Sequence, residues 1–109
     1  MHQTFTYPDY PYRPSPELAQ GLARRHPVVV IGAGPVGLTA ALDCAVRGLP
    51  VVVLDDNNAV SIGSRAVCYA KRPLEIWDRL GVAEPMVARG VSWQVGKVFL
   101  RAGMVYRFD

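Results

Sequence analysis

Residues 28–38 have the sequence VVVIGAGPVGL, in which four β-branched residues precede three glycines with the spacing G-x-G-x-x-G. An apolar run without polar alternation is typical of a strand that is buried on both faces of a parallel sheet. The glycines predict a tight turn into a helix that begins near Pro35 and ends around Arg47, before Gly48.

A second apolar run, VVVL at residues 51–54, follows this helix and ends at Asp55. Two strands that are joined by one helix at this spacing indicate a βαβ unit with a right-handed crossover. Asp55 comes 23 residues after Gly32, close to the ~20 residues expected for an acid that binds an adenosine ribose. The full pattern therefore predicts a dinucleotide site, with the FAD and NAD alternatives both open.

Each residue type in the glycine loop has a physical role in such a site. Gly32 permits backbone angles that a side chain would oppose, and Gly34 lets a phosphate approach the main chain. Gly37 allows the helix and the strand to pack closely. Pro35 suits the first helical turn, whose free N–H groups and positive dipole end attract a pyrophosphate.

The acidic end of the second strand narrows the choice of ligand. The Asp55 carboxylate can accept hydrogen bonds from two ribose hydroxyls, whereas with Asp56 beside it a ribose 2′-phosphate is repelled. The site is therefore expected to hold FAD or NAD rather than NADP. The alternative is an ordinary βαβ turn whose glycines serve packing only, and it leaves the acid without a role.

Composition excludes several classes of function. The chain has 109 residues, is 50% hydrophobic and carries a net charge of +3, which suits one small domain with a core. Its basic residues are scattered and not interleaved with aromatics, which argues against a nucleic-acid partner. No apolar stretch approaches the ~20 residues of a membrane span, so we expect a cytoplasmic protein. Cys44 and Cys68 form no metal or redox motif, and no metal is expected.

The chain begins with a segment of distinct composition. Residues 1–27 contain five prolines and three tyrosines, which favours an extended arm rather than a packed element. The arm could lie on its own protein's surface or serve as a peptide ligand for another domain. A short helix within it is predicted by Ser15 as N-cap and Pro16 at the first helical position.

Two further elements are expected beyond the second strand. A helix that begins at residue 66 or 69 should end at residue 80, before Gly81. Two β-like runs, at residues 93–100 and 104–108, predict a hairpin that turns around Ala102-Gly103.

The sequence GSRAVCYAKRPLEIWDRLG at residues 63–81, together with the glycine loop, resembles the FAD-dependent aromatic hydroxylases, also called class A flavoprotein monooxygenases. It looks most like their phenol and 3-(3-hydroxyphenyl)propionate hydroxylase branch, whose members share the GAGPVGL loop, the S-R-A segment and a helix similar to LEIWDRLG. The resemblance implies an α/β fold over residues 28–109: the N-terminal βαβ of a Rossmann-like FAD-binding domain, followed by a helix and a β-hairpin.

The same resemblance implies which residues bind FAD. The glycine loop would contact the pyrophosphate, the two aspartates would hold the adenosine ribose, and an arginine fork would lie along the pyrophosphate and ribityl chain. The family usually has Glu at position 55 and often a basic residue next, whereas both are Asp here. The implied residues are Gly32, Gly34, Pro35, Val36, Asp55, Asp56 and Arg65, and none is identified as catalytic.

The resemblance also implies an activity, in which NADH or NADPH reduces FAD and oxygen is used to hydroxylate a small phenolic substrate. The family's enzymes are several times longer, so we expect an incomplete fold, an N-terminal part of a larger hydroxylase that is inactive alone. Two alternatives stay open. One is a different FAD-dependent oxidoreductase, and the other is a stand-alone, non-catalytic nucleotide-binding module that recruits a partner through its arm.

Overall fold

The structure, a computed structural model, describes residues 6, 8–60 and 68–109. The chain divides into two compact units, residues 1–70 and residues 71–109. Helices and short strands occur in both units, which confirms a mixed α/β fragment. The first unit contains α1 (Pro16–Gln20), β1 (Val28–Ile31), α2 (Pro35–Val46) and β2 (Val51–Leu54), and the second contains α3 (Lys71–Arg79), α4 (Ala83–Arg89), β3 (Gly96–Leu100) and β4 (Gly103–Phe108).

A parallel pair of strands forms the centre of the first unit. β1 and β2 pair from Val28↔Val51 to Ile31↔Leu54, and α2 connects them and packs against both. Both strands have the bounds predicted from the sequence. Parallel pairing places the carboxyl ends of the two strands at the same edge of the sheet, where the glycine loop and the acidic residues follow.

The prediction that β1 is buried on both faces is wrong for this chain. Val29 and Ile31 are 47% and 78% exposed, whereas Val28 and Val30 are half-buried. Successive side chains of a strand point to opposite faces, and Val30 lies on the face that α2 covers. A continuous apolar run predicts a strand but does not reveal which of its faces is covered.

Gly37 sets how closely α2 packs on β1. A Cβ atom at this position would overlap the carbonyl oxygen of Gly32 and lie 3.1 Å from Val30 Cγ1. The backbone of the helix therefore rests directly on the end of the strand, as the third glycine of the motif predicts.

The second unit is a helix pair followed by a hairpin. α3 ends at Arg79, close to the predicted stop, and among the described residues Trp77, Leu80 and Ala83 belong to the few that are buried. The predicted start at residue 69 is two residues too early, because Pro73 fits the first turn of a helix that begins at Lys71. Residue 66 lies outside the described residues.

Helix α4 was not predicted from the sequence. Pro85 lies in its first turn, where a missing N–H costs nothing, and Gly90 follows its last residue. Pro85 therefore lies in the first turn of a helix rather than interrupting one.

The predicted hairpin is confirmed, with two local differences. β3 begins at Gly96 rather than at Trp93, because Gly96 pairs with Phe108, the last residue of β4. The Trp93 ring packs edge-on against the Phe108 ring, with 6.0 Å between the ring centroids. The left-handed residue of the turn is Arg101, with φ +54°, whereas the sequence favoured a turn around Ala102-Gly103.

The amino-terminal segment contacts its own unit. The Ser15 hydroxyl accepts a hydrogen bond of 3.1 Å from the Leu18 N–H, which confirms the predicted cap of α1. Asp9 forms an isolated antiparallel bridge with Ala59. These contacts agree with an arm that lies on its own protein's surface, while its predicted boundary at residue 27 stays a prediction. Over the described ranges, the helices are too short or too polar to cross a bilayer.

Replacing Gly37 with alanine tests the packing of α2 on β1. The added Cβ forces the helix away from Gly32, so we expect Gly37→Ala to lower the free energy of unfolding by about 1–3 kcal/mol, measured by urea titration followed by circular dichroism. Gly34→Ala is the matched control, because its Cβ meets nothing within 4 Å. Equal stability of the two variants would contradict this packing.

Candidate dinucleotide site

The glycine loop leaves β1 with a sharp change of direction. Gly32 has φ +98°, in the region that only glycine adopts without strain. Its N–H donates a hydrogen bond of 2.7 Å to the Leu54 carbonyl at the end of β2. This bond extends the parallel ladder by one residue, so the loop starts directly beside the chain that leads to Asp55.

The N-terminus of α2 is open to an anion. Gly34 is the N-cap residue, with φ −74° and ψ 179°, and no side chain caps the helix there. Pro35 occupies the first helical turn, where its missing N–H leaves no gap in the hydrogen bonding. A Cβ at Gly34 would meet nothing within 4 Å, so the space in front of the free N–H groups is available to a ligand.

A shallow groove of about 430 Å³ runs along this loop, and its walls are mainly apolar. Val36 projects at its rim and is 85% exposed. Four of the seven residues implied by resemblance lie together in its lining, which consists of Val30, Ile31, Gly32, Gly34, Pro35, Val36, Gly37 and Ala40.

Asp55 joins the end of β2 to the glycine loop. Its Oδ2 accepts a hydrogen bond of 2.6 Å from the Ala33 N–H, and its Oδ1 accepts bonds from Asn57 N–H and Asn57 Nδ2 at 2.9 and 3.1 Å. A carboxylate has about four acceptor positions, so one position stays open for a further donor. The side chain is exposed, which leaves that position accessible.

These hydrogen bonds keep the Asp55 carboxylate ionised. The bond from the Ala33 N–H, followed by those from Asn57, lowers the pKa of the Asp55 carboxyl below its ordinary value, and the small desolvation does not reverse this. At neutral pH the group is therefore a fixed anionic acceptor at the edge of the sheet.

Asp56 and Arg65 are the other two residues that the resemblance implies at this site. Asp56 is exposed, and its Oδ1 accepts a hydrogen bond of 2.9 Å from Asn57 Nδ2. Arg65 lies outside the described residues, so its predicted place beside the pyrophosphate stays a prediction. Ala33 and Asn57 were missed, although Asp-x-Asn is a recognisable signal, since aspartates often accept from the backbone two residues further on.

The lowered pKa of Asp55 predicts how the loop responds to acid. Because the folded carboxyl has a lower pKa than an unfolded one, its stabilising bonds are complete above about pH 4 and are lost as pH falls through the folded pKa. We expect the Ala33 amide proton resonance to titrate with a midpoint below about pH 4. Asp55→Asn should abolish this step and Asp43→Asn should retain it; a midpoint at or above that of a free aspartate would contradict the bonding.

Comparisons with known proteins give the chain a family. Residues 25–105, well over half of the chain, match the family described as FAD binding domain. The match includes the glycine loop, Asp55 and all of the described second unit up to residue 105. No solved structure is significantly similar to the chain.

The curated relatives are monooxygenases and hydroxylases by name. The chain is 39% identical over 82 residues to 6-methylpretetramide 4-monooxygenase of Streptomyces rimosus, covering 75% of this chain and 15% of the relative. It is 42% identical over 64 residues to para-nitrophenol 4-monooxygenase of Pseudomonas sp. strain WBC-3, covering 59% and 16%. It is 34% identical over 86 residues to 3-(3-hydroxy-phenyl)propionate/3-hydroxycinnamic acid hydroxylase 1 of Burkholderia vietnamiensis, covering 69% and 14%.

The matched part of the chain thus spans only 14–16% of the length of these relatives. The similarity to aromatic hydroxylases and the FAD prediction are confirmed by these matches. The open helix N-terminus, the glycine loop and the anchored acid agree with the family match, and the chain belongs to the FAD-binding domain family.

Proposed function

We propose that the glycine loop and Asp55 bind the adenosine diphosphate half of FAD, as the βαβ unit of a Rossmann-like domain. The observation that carries this proposal is the Asp55 carboxylate, which is held 2.6 Å from the Ala33 nitrogen beside the open N-terminus of α2. In this arrangement Gly32, Gly34, Pro35 and Val36 contact the pyrophosphate, whose charge the helix dipole stabilises.

The remaining acceptor position of Asp55 serves the adenosine ribose. A ribose hydroxyl that donates to this ionised carboxylate forms a charge-assisted hydrogen bond. Asp56 adds a second negative charge next to it, which disfavours a ligand with a 2′-phosphate. Arg65, ten residues after Asp55, is proposed to donate to the pyrophosphate and the ribityl chain.

For the whole protein we propose a flavin-dependent monooxygenase that hydroxylates a small aromatic substrate with NADH or NADPH and oxygen. Support comes from the names of the curated relatives, three of which are a nitrophenol monooxygenase, a phenylpropionate hydroxylase and a flavin-dependent monooxygenase. Bound FAD supplies the redox chemistry that activates oxygen. The residues of this chain contribute binding and orientation of the cofactor's ADP half.

FAD binding tests the proposed site directly. Quenching of flavin fluorescence on titration of the purified chain into FAD gives the affinity. We expect Gly34→Ala to weaken FAD binding by about tenfold or more, ~1.4 kcal/mol, because its Cβ fills the space where a phosphate approaches the backbone. Stability should be unchanged, since that Cβ meets no protein atom within 4 Å.

The matched control is Gly103→Ala, in which the new Cβ lies 3.7 Å from the Leu100 carbonyl oxygen. It should leave FAD affinity unchanged. Equal affinities of Gly34→Ala and the unmodified chain would place the pyrophosphate elsewhere.

The proposed activity needs the protein expressed from its full reading frame. A yellow protein that oxidises NADH or NADPH faster when a phenol is added, and releases a hydroxylated phenol, would support the hydroxylase. A flavoprotein without phenol-stimulated oxidation would favour a different FAD-dependent oxidoreductase.

A further inference from the structure

The amino-terminal arm is tied to the segment that follows Asp55. The Tyr10 N–H donates a hydrogen bond of 2.7 Å to the Asn58 carbonyl, and Asn58 Nδ2 donates one of 2.8 Å to Asp9 Oδ1. Asp9 and Ala59 complete an antiparallel bridge. Both the main chain and the side chain of Asn58 are therefore held by a segment 49 residues away in sequence.

Asn57, which lies between Asn58 and Asp55 in the sequence, connects this restrained segment to the Asp55 carboxylate. Asn57 donates through its N–H and Nδ2 to Asp55 Oδ1, and through Nδ2 to Asp56 Oδ1. Asp55 Oδ2 in turn accepts from Ala33 in the glycine loop. Two sets of hydrogen bonds, joined by the peptide bond between Asn57 and Asn58, therefore connect the arm, the turn at residues 55–58 and the glycine loop.

We propose that Asp9 is a positioning residue that, through Asn58 and Asn57, holds the Asp55 carboxylate in place for the ribose 2′-hydroxyl, the group that the acid at this place in a dinucleotide fold binds. This inference rests on the proposed function, because it assigns the arm to the ribose part of the same site. Asp9 touches no ligand in this account. Its effect is to order, before binding, a turn that a nucleotide would otherwise have to order at its own cost.

The expected effect is modest, because the Asp9–Asn58 hydrogen bond is exposed. Loss of one such bond corresponds to about a three- to tenfold change in affinity. The effect should also be selective for ligands that use Asp55. A ligand without the ribose 2′-hydroxyl should be much less sensitive to Asp9.

The experiment compares ADP with 2′-deoxy-ADP by isothermal titration calorimetry on the purified chain. Asp9→Ala and Asn58→Ala should each weaken ADP binding by about three- to tenfold, and the double variant should be no weaker than either single variant. Binding of 2′-deoxy-ADP should change by less than about twofold. Asp78→Ala, which removes an exposed carboxylate from α3, is the matched control and should leave both affinities unchanged.

The two ligands separate failure of this inference from failure of the proposed function. If the unmodified chain binds ADP and 2′-deoxy-ADP equally, or binds neither, Asp55 does not bind the ribose 2′-hydroxyl. That result overturns the positioning role of Asp9 as well. If the unmodified chain prefers ADP and Asp9→Ala keeps the same preference and affinity, only the positioning role is overturned. An equal loss for both ligands would also overturn it, because that result indicates general loss of structure.

Discussion

The hydrogen bond from the Ala33 N–H to the Asp55 carboxylate is the contact on which the candidate site depends. It exists because β1 and β2 pair in parallel and in register, so that the residues after both strands meet at one edge of the sheet. A shift of the register by one residue would turn Asp55 to the opposite face. The bond therefore forms only when β1 and β2 pair in this register and the glycine loop places the Ala33 N–H beside Asp55.

The three glycines of the motif meet separate demands in this arrangement. Gly32 supplies a backbone angle, Gly37 supplies contact between helix and strand, and Gly34 leaves space at the helix N-terminus. Only the role of Gly34 concerns a ligand; the roles of Gly32 and Gly37 concern the fold itself. The distinction matters because a change at Gly37 would disturb stability and binding together, whereas a change at Gly34 would separate them.

Local features of the site could be predicted from the sequence, because they depend on neighbouring residues. The strands at residues 28–31 and 51–54, the helix start at Pro35 and the spacing to Asp55 all follow from short-range patterns. Of the partners of Asp55, Asn57 has a local signal in the Asp-x-Asn pattern. Ala33 could not be predicted, since its contact with Asp55 depends on strand register. The contact between Asp9 and Asn58 has no local signal at all, because it joins residues 49 positions apart.

An FAD titration followed by two-dimensional ¹⁵N–¹H NMR tests where the cofactor binds, because it shows which backbone amides respond to it. If the glycine loop and Asp55 form the site, the largest shifts will be at Gly32, Ala33, Val36, Gly37 and Asp55, and they will saturate with one FAD per chain. Saturable shifts that avoid these amides, or no shifts at millimolar FAD, would contradict the assignment.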